Sequence, residues 1–194
     1  MFSGIVETTA KALKFEKAGN GLRLFFKQPK GFKVSAGESV SIDGICSTVE
    51  KKTKEGFGFY FMPETLKKTT LSKISSSHLF NLERPLKLNS LVSGHLVSGH
   101  IDTIAKVSSI KNEKESAVLI INIPQKFTKY IIYKGSITVN GVSLTIVSTG
   151  NSSFTVSLIP YTLTYTNLGQ LKVGDLANVE VDQVAKYLEK LVPR

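Results

Sequence analysis

The chain has 194 residues, 41% of them hydrophobic and 21% charged, which are ordinary proportions for a soluble globular protein. Its single cysteine, Cys46, excludes an internal disulfide framework and a cysteine-rich zinc site. No apolar run is long enough to predict a membrane-spanning helix, and Met1 leads directly into a structured motif, so we expect a cytoplasmic protein. The formal net charge of +10 comes from scattered lysines without interleaved aromatics, which favours a solvated surface over a nucleic-acid site.

An internal repeat divides the chain into two copies of one unit. Residues 2–11 align without a gap with residues 97–106, and residues 39–44 align with residues 136–141. The offset is 95 at the start and 97 later, which predicts a two-residue insertion between Phe127 and Ser136. We expect two domains of this repeat and a tail, with bounds at residues 1–92, 93–181 and 182–194.

Short strands with period-two alternation run through the first unit. One is predicted over Gly21–Lys27, where Pro29 ends it. Pro63 predicts the start of a short helical turn. Further short strands are predicted at Glu38–Ile42, Ile45–Val49 and Phe57–Met62. The second unit repeats the order, with a strand over Ala117–Ile123 that ends at Pro124.

Many short strands at regular spacing predict an all-β protein, with a small barrel or sandwich in each unit. Only the tail differs. Asp182 is a good N-cap, and an apolar stripe follows at helical spacing, formed by Val184, Tyr187, Leu188 and Leu191. We therefore predict a short amphipathic helix that needs an apolar partner surface, which a neighbouring subunit could supply.

Superposing the two copies singles out four candidate residues. Cys46 in the first copy matches Ser143 in the second, and Ile5 matches His100. A thiol, a hydroxyl and an imidazole can all handle protons or orient a nucleophile. Each also has a plainer interpretation, because a lone cysteine is usually a small buried residue and a lone histidine is usually structural.

Other classes of site find little support in the sequence. His95 and His100 are five residues apart, which would place them on opposite faces of a regular strand rather than around one metal ion. No glycine-rich phosphate loop of the strand–helix type occurs. A triad of Ser143, His100 and Asp102 is conceivable, but Ser143 lacks the context of a nucleophile elbow.

Several motifs occur in an order and spacing that resemble the riboflavin synthases of the α-subunit type. They are Met1–Glu7, Asp43–Val49, Pro63–Leu71, Asn81–Arg84, Gly94–Asp102, Lys134–Ile137, Gly141–Thr145 and Asn178–Asp182. The resemblance extends from Met1 to about Leu191. It implies tandem duplicated six-stranded Greek-key β-barrels with a short C-terminal α-helix, each barrel holding one molecule of 6,7-dimethyl-8-ribityllumazine.

The resemblance also implies an activity. Two lumazine molecules would dismutate by transfer of a four-carbon unit, which gives riboflavin and 5-amino-6-ribitylaminouracil in the last step of riboflavin biosynthesis. No metal and no organic cofactor is implied. A homotrimer joined through the C-terminal helices is expected, with each active site between the N-terminal barrel of one subunit and the C-terminal barrel of the next. Association with lumazine synthase is a further expectation.

The resemblance assigns roles residue by residue. Proton handling or orientation of a nucleophile is expected from His100, Cys46, Ser143 and Thr145. The matching segments Gly4-Ile5-Val6 and Gly99-His100-Ile101 are expected to contact the substrate rings. Further substrate-binding residues are expected to be Ser39, Ser47, Thr48, Phe61, Met62, Pro63, Glu64, Thr65, Leu66, Lys134, Asn140, Leu144, Ile159, Pro160, Tyr161, Thr162, Leu163 and Thr164. The acidic C7 methyl group of the lumazine explains why proton transfer and positioning suffice.

The chain departs from the family pattern at several positions. The family usually has Asn at the first-copy turn and Asp at the second, whereas this chain has Asp43 and Asn140. Other unusual residues are Ser47, Ser72, Ser77, His78, Ser93 and Thr103. The rival hypothesis is a non-catalytic lumazine-binding or flavin-binding protein of the same fold. The retained Gly99-His100, Lys134, Cys46 and Ser143 favour the enzyme.

Overall fold

The structure, a computed structural model, describes residues 1–192. The first unit contains strands β1 (Thr8–Ala18), β2 (Gly21–Lys27), β3 (Ser39–Ile42), β4 (Ile45–Lys52), β5 (Gly56–Phe61) and β6 (Leu79–Glu83), with helix α1 (Pro63–Lys68) after β5. The second contains β7 (Thr103–Glu113), β8 (Ser116–Asn122), β9 (Ser136–Val139), β10 (Val142–Thr149), β11 (Ser153–Leu158) and β12 (Leu176–Val181), with α2 (Pro160–Tyr165) after β11. Helix α3 (Gln183–Leu191) follows. No helix within residues 1–192 has the length and apolar character needed to cross a bilayer.

Each unit closes into a six-stranded antiparallel barrel. The strand order is β1-β2-β5-β4-β3-β6 around barrel one and β7-β8-β11-β10-β9-β12 around barrel two. In both, three strands joined by hairpins are flanked by strands that arrive through longer connections, which is Greek-key topology. The predicted fold of tandem Greek-key barrels with a C-terminal helix is confirmed.

The observed strands explain where the sequence pattern was readable. The predicted strand Gly21–Lys27 is β2, and the one at Ala117–Ile123 lies one residue from β8. Strands β1 and β7 do not alternate cleanly, because each contains a bulge, after Ala12 in β1 and after Val107 in β7. A bulge moves every later side chain to the other face and so hides the period-two signal.

The two barrels fill their interiors differently. Barrel one has an aromatic core in which the Phe26 ring contacts three others, with centroid distances of 6.0 Å to Phe57, 5.9 Å to Phe59 and 5.2 Å to Phe80. The core of barrel two is mainly aliphatic, with fully buried side chains that include Leu119, Ile121 and Ile137. The repeat therefore conserves strand topology while each core reaches close packing with its own side chains.

The two barrels exchange their first residues, which we call leading segment one (residues 2–6) and leading segment two (residues 97–101). The segments pair with each other, since Phe2 and Val97 exchange both backbone hydrogen bonds, at 2.7 and 3.0 Å. Beyond that pair they diverge. Val6 packs against the core of barrel two, and Ile101 packs against the core of barrel one. Each barrel is thus covered by the segment that leads into the other.

Two β-turns meet at the centre of this interface. Asp43-Gly44 joins β3 to β4, and Asn140-Gly141 joins β9 to β10. Gly44 and Gly141 have φ of +81° and +80°, and a Cβ on Gly44 would lie 2.8 Å from the Gly141 nitrogen. Only glycine fits both the backbone conformation and this approach.

A buried polar cluster, which we call the interbarrel cluster, surrounds these turns and consists of Asp43, Asn81, Asn140, Asn167 and Asn178. Asn81 donates to the Asn140 carbonyl at 2.8 Å, and Asn178 donates to the Asp43 carbonyl at 3.0 Å. The Asn167 amide donates to Asp43 Oδ1 at 2.8 Å. These bonds cross between the barrels, so they fix how the two units sit against each other.

Helix α3 leaves barrel two through a capped start. The Asp182 carboxylate accepts the Val184 N–H at 2.9 Å, which confirms the predicted N-cap. Lys186 forms an ion pair with Asp102 at 2.8 Å and so ties the helix to the residue that directly follows leading segment two. The predicted apolar stripe is more than half exposed at every position, Val184, Tyr187, Leu188 and Leu191. No other part of residues 1–192 covers it.

Candidate functional site

The predicted site residues of barrel one gather on its outer surface. Cys46 and Thr48 point outward from β4, because they alternate with buried residues. Ser39 on β3 is the Cα partner of Thr48 and shares that side. The Gly99 carbonyl accepts the Cys46 N–H at 2.8 Å, and Ile101 lies two residues further along the same segment. We call this surface face one.

Barrel two carries the matching surface, which we call face two. Ser143 and Thr145 point outward from β10, and the Gly4 carbonyl accepts the Ser143 N–H at 2.7 Å. Ser136, the Cα partner of Thr145, stands where Ser39 stands on face one. Sequence reasoning missed Ser136 as a site residue, although the repeat aligns it with Ser39. Both faces combine outward hydroxyls with the backbone of a leading segment.

One buried glutamate holds each leading segment. The Glu83 carboxylate accepts from Ser3 N–H, Ser3 Oγ–H and Gly4 N–H at 2.7–3.1 Å. Glu180 accepts from Ser98 and from the Gly99 and His100 N–H groups at 2.5–3.1 Å. Burial raises the pKa of the Glu83 carboxyl, and the hydrogen bonds from Ser3 oppose that rise. These bonds fix the backbone that lies on each face.

The matched positions Ile5 and His100 differ in chemistry but not in setting. Each side chain is exposed at the position that follows the glycine of its leading segment. Ile5 also lines a cleft of about 840 Å³ together with Lys33 and Arg84. His100 therefore offers an imidazole from a backbone held by Glu180, whereas Ile5 offers an apolar surface. Ile5 and His100 thus lie at matching places in the two units.

The triad of Ser143, His100 and Asp102 does not assemble. Asp102 forms an ion pair with Lys186 and accepts a hydrogen bond from the Val181 N–H at 2.9 Å. Ser143 instead contacts His95, with 2.7 Å between Ser143 Oγ and His95 Nδ1.

His95 is the functional candidate that sequence reasoning missed. The prediction that His95 and His100 lie on opposite faces of a regular strand was wrong, since residues 93–102 form only an isolated bridge at Val97. The irregular path turns the His95 ring onto β9 and β10, where its Nε2 lies 3.1 Å from Thr138 Oγ1. A signal was available, because Gly94-His95 adjoins the repeat without having a partner in it.

The remaining predicted residues lie in the short helices α1 and α2 and directly before them. Helix α1 starts directly after β5, and the preceding Met62 is 59% exposed. Its counterpart before α2, Ile159, is also 59% exposed, and Tyr161 packs against Tyr165 with ring centroids 4.5 Å apart. The other predicted residues of these turns are partly or fully exposed, namely Pro63, Glu64, Thr65, Leu66, Pro160, Thr162, Leu163 and Thr164.

Lys134 occupies a backbone conformation that glycine prefers. Its φ is +61°, and its N–H bonds the Ile146 carbonyl at 2.9 Å. At the same point of barrel one stands Gly37, with φ of +84° and an equivalent bond to the Val49 carbonyl. Lys134 thus holds a left-handed conformation at the place where the first unit has a glycine.

Four predicted residues have side chains that do not reach the outer faces. Ser47 is buried on the inner side of β4 and donates to the Ile45 carbonyl at 3.0 Å. Phe61 and Leu144 belong to the two barrel cores. Asn140 is 3% exposed and accepts the Asn178 N–H in the interbarrel cluster. A ligand on the outer surface could reach these residues only through their backbone.

The two faces supply hydroxyl groups, one thiol, imidazoles and backbone hydrogen-bonding groups. Within residues 1–192, no three His, Cys, Asp or Glu side chains converge in a way that could hold a metal ion. The arrangement suits a ligand with a hydroxylated chain, which outward hydroxyls can bind.

Comparisons with known proteins agree with this arrangement. The family model of the lumazine binding domain matches twice, at residues 3–85 and 98–182. A riboflavin synthase of Actinobacillus pleuropneumoniae is 39% identical over 193 residues, which is 99% of this chain and 90% of the relative. A riboflavin synthase of Bacillus subtilis (strain 168) is 37% identical over the same shares of the two chains.

Solved structures show the same fold with ligands bound. LumP complexed with 6,7-dimethyl-8-(1'-D-ribityl) lumazine is 26% identical, with a TM-score of 0.84 over 93% of this chain and 99% of that one. LumP complexed with riboflavin gives a TM-score of 0.88 at 26% identity, over 94% of this chain and 100% of that one. With two matched domains and full-length relatives, the chain belongs to the riboflavin synthase family of duplicated lumazine-binding domains.

Proposed function

We propose that the protein is a riboflavin synthase. It binds two molecules of 6,7-dimethyl-8-ribityllumazine and moves a four-carbon unit from one to the other. The acceptor becomes riboflavin, and the donor becomes 5-amino-6-ribitylaminouracil. Because both substrates are the same compound, the atoms and electrons balance between them and no co-reactant is required.

The observation that carries this proposal is identity of 37–39% to riboflavin synthases along almost the whole chain. The duplicated outer faces support it, because dismutation needs two binding surfaces for one kind of molecule. Face one and face two have the same architecture, since each sets a leading segment across a pair of outward strand residues. Such surfaces hold two rings in reacting geometry, which is a large part of the catalysis this reaction needs.

The differences between the faces support different roles for the two substrates. Cys46 stands on face one with His100 beside it, and Ser143 and Thr145 stand on face two. We infer that these four residues move protons and orient the group that attacks C7. Ile5, Val6 and Ile101 supply apolar contacts for the rings. The outward Ser39 and Thr48 on face one, and Lys134 on face two, bind the ribityl chains.

We further propose a homotrimer in which each active site joins face one of one subunit to face two of the next. The exposed stripe on α3 supports this proposal, because four apolar side chains at helical spacing need a partner surface. The domain bounds that go with it are residues 1–92, 93–181 and 182–194, the last being the trimerisation helix. Alignment of two faces from different subunits would let each site hold one substrate on each.

Two expectations about cellular context complete the proposal. We propose a cytoplasmic location, in keeping with a biosynthetic role. Association with lumazine synthase, which supplies the substrate, would be detected by mixing the two purified proteins and measuring the mass of any complex by light scattering. An unchanged mass for each protein would exclude a stable complex.

Incubation of purified protein with 6,7-dimethyl-8-ribityllumazine alone tests the function. We expect riboflavin and 5-amino-6-ribitylaminouracil in equal amounts, without added cofactor and in the presence of EDTA. Chromatography with absorbance and fluorescence detection measures both products.

The second candidate function is non-catalytic ligand binding, which the likeness to LumP complexes favours. The two functions differ in outcome. A binder would retain the lumazine in a stable complex and release no riboflavin over hours, whereas the enzyme would consume it. Tight binding without product would therefore overturn the proposed function and leave the fold assignment intact.

A further inference from the structure

The outer side of barrel one carries an open cleft of about 890 Å³, and none of the residues assigned to the lumazine lines it. The cleft lies over β1, β2, β5 and the end of β4, and its lining includes Phe25 and Gly58. Face one uses the start of β4 instead, at Cys46 and Thr48, and a bulge after Val49 separates the two parts of that strand. The cleft is therefore a second surface of the same barrel.

The Phe25 ring lies along strand β5 because two glycines leave room for it. A Cβ on Gly56 would stand 3.1 Å from Phe25 Cε1, and a Cβ on Gly58 would stand 3.1 Å from Cδ2. Cε1 and Cδ2 are opposite corners of the ring, so the ring rests on the strand at both corners. Its side chain is only partly buried and borders the cleft. An aromatic ring laid on a sheet in this way can stack with a flat ligand.

Lysines flank this ring on both sides. Lys14 on β1 is the Cα partner of Phe25 on β2. Gly58 on β5 is paired both with Phe25 and with Lys51 on β4. The four residues thus form one row across four strands, and both lysines are exposed. A phosphate on either side of a base stacked on Phe25 would meet one of these lysines.

The next row of the sheet provides a second flat surface. Arg23 and Tyr60 are Cα partners, and the guanidinium carbon lies 5.3 Å from the centroid of the Tyr60 ring. Glu50 accepts two hydrogen bonds from Arg23, at 3.0 and 3.1 Å, which holds the guanidinium plane in place. Tyr60 is 40% exposed. Guanidinium planes and tyrosine rings both stack on nucleobases, so this pair extends the surface that Phe25 begins.

The charge of the cleft is slightly positive. Cations and carboxylates both border it, namely Lys14, Arg23, Lys51 and Lys54 against Glu16, Glu50 and Glu55. The formal net charge of the whole chain is +10, which attracts an anionic ligand at longer range.

The second barrel has neither the aromatic rings nor the flanking lysines at the matching places. Its corresponding row is paired in the same register and consists of Ser109, Ile120, Thr155 and Ser148. The next row consists of Val118 and Ser157, which are also Cα partners. A barrel of this topology therefore forms without these side chains, and their presence in one copy calls for another explanation.

We propose that this surface of barrel one binds single-stranded nucleic acid, with bases stacked on Phe25 and on the Arg23–Tyr60 pair and phosphates bound by Lys14 and Lys51. A strand fits better than a free nucleotide, because a nucleotide within a strand has a phosphate on each side and a lysine stands on each side of Phe25. The lysines and aromatic rings look unconnected in the sequence because the row joins residues from four strands. The site goes beyond the proposed function and does not depend on it.

Fluorescence anisotropy of a labelled oligothymidylate of about 12 nucleotides tests the site on the full-length protein. We expect a Kd of about 10 µM at about 100 mM salt. Phe25→Ile installs the residue of barrel two and should weaken binding about 10-fold through lost stacking. Lys14→Ser combined with Lys51→Ser, again the residues of barrel two, should lower the slope of log affinity against log salt by about 1.4. The matching duplex should bind less tightly than the single strand, because its bases offer no free side.

A charge control and an activity control make the test specific. Lys106→Ser combined with Lys126→Ser removes two exposed lysines from barrel two and should change the Kd less than about twofold. Circular dichroism and lumazine turnover of Phe25→Ile should be those of the wild type. A wild type that binds the strand through Phe25 but makes no riboflavin would refute the proposed function and leave this site standing. Wild-type affinity in Phe25→Ile, equal losses in the two lysine pairs, or AMP binding as tight as the strand would each overturn the site.

Discussion

Asn167 links the two barrels, and its replacement by alanine should uncouple them. Its side chain makes four hydrogen bonds, donating to Asp43 Oδ1 at 2.8 Å and the Leu79 carbonyl at 2.9 Å, and accepting from Asn81 at 2.9 Å and Asn140 at 3.3 Å. All but the last join the barrels. We therefore expect Asn167→Ala to lower the free energy of unfolding and to broaden the transition.

The size of the stability loss depends on which hydrogen-bond partners of Asn167 keep another hydrogen bond in the variant. Asp43 Oδ1 still accepts the Asn81 N–H, and the Asn81 amide still donates to the Asn140 carbonyl. The Asn140 amide loses its bond to Asn167 inside a buried cluster, at about 1–3 kcal/mol for such a group. With the weakened contacts to Asp43 and Leu79, we expect a total loss of about 2–4 kcal/mol.

The repeat provides the control for this variant. Thr70 occupies the matching place in the first unit, and it contributes its backbone N–H to Asn178 at 2.8 Å, a bond that Thr70→Ala keeps. We expect Thr70→Ala to cost about 1 kcal/mol through lost packing. Urea unfolding followed by circular dichroism measures both variants. Equal losses for Asn167→Ala and Thr70→Ala would refute the idea that this side chain holds the barrels together.

Three other predictions concern the active faces and the assembly. His100→Ala should reduce turnover about 10- to 1000-fold with the oligomer intact, and Cys46→Ala should also slow turnover. Ile5→Ala should chiefly weaken substrate binding. Steady-state kinetics and titration with a lumazine analogue separate these effects, and normal turnover in His100→Ala would show that His100 is a structural residue. Leu188→Glu should convert the proposed trimer to monomers by light scattering and abolish most activity, and a trimer of unchanged mass would exclude α3 as its contact. Lys134→Gly should raise stability by up to about 1 kcal/mol, since it relieves the positive φ, while weakening lumazine binding; unchanged affinity in titration would remove Lys134 from the site.

The alternation of buried and exposed side chains made individual strands predictable from the sequence. Strands in which a bulge interrupts this alternation could not be located. Strand β2 could be located because Leu24 and Phe26 face the core without a break. Strand β1 could not, because the bulge after Ala12 reverses the pattern within the strand. The resemblance assigned the tandem Greek-key topology, which single-strand patterns leave open between barrel and sandwich.

The candidate site was predictable where the repeat itself carried the information. Alignment of the copies paired Cys46 with Ser143, and both lie on matching outer faces. It could not show that Asn140 faces the other barrel, because that contact joins residues far apart in the chain. His95 was not predicted as a site residue for a related reason. Its partner Ser143 lies 48 positions away in the chain, and the segment that carries His95 is irregular.

The exchange of leading segments has an evolutionary consequence. A single ancestral unit would have left its own outer face uncovered, and two copies related by a twofold axis could have covered each other's faces, as residues 2–6 and 97–101 now do. Such a dimer would have carried two faces that could not differ. Two copies joined in one chain are free of that constraint, so one face can carry a thiol while the other carries a hydroxyl backed by an imidazole.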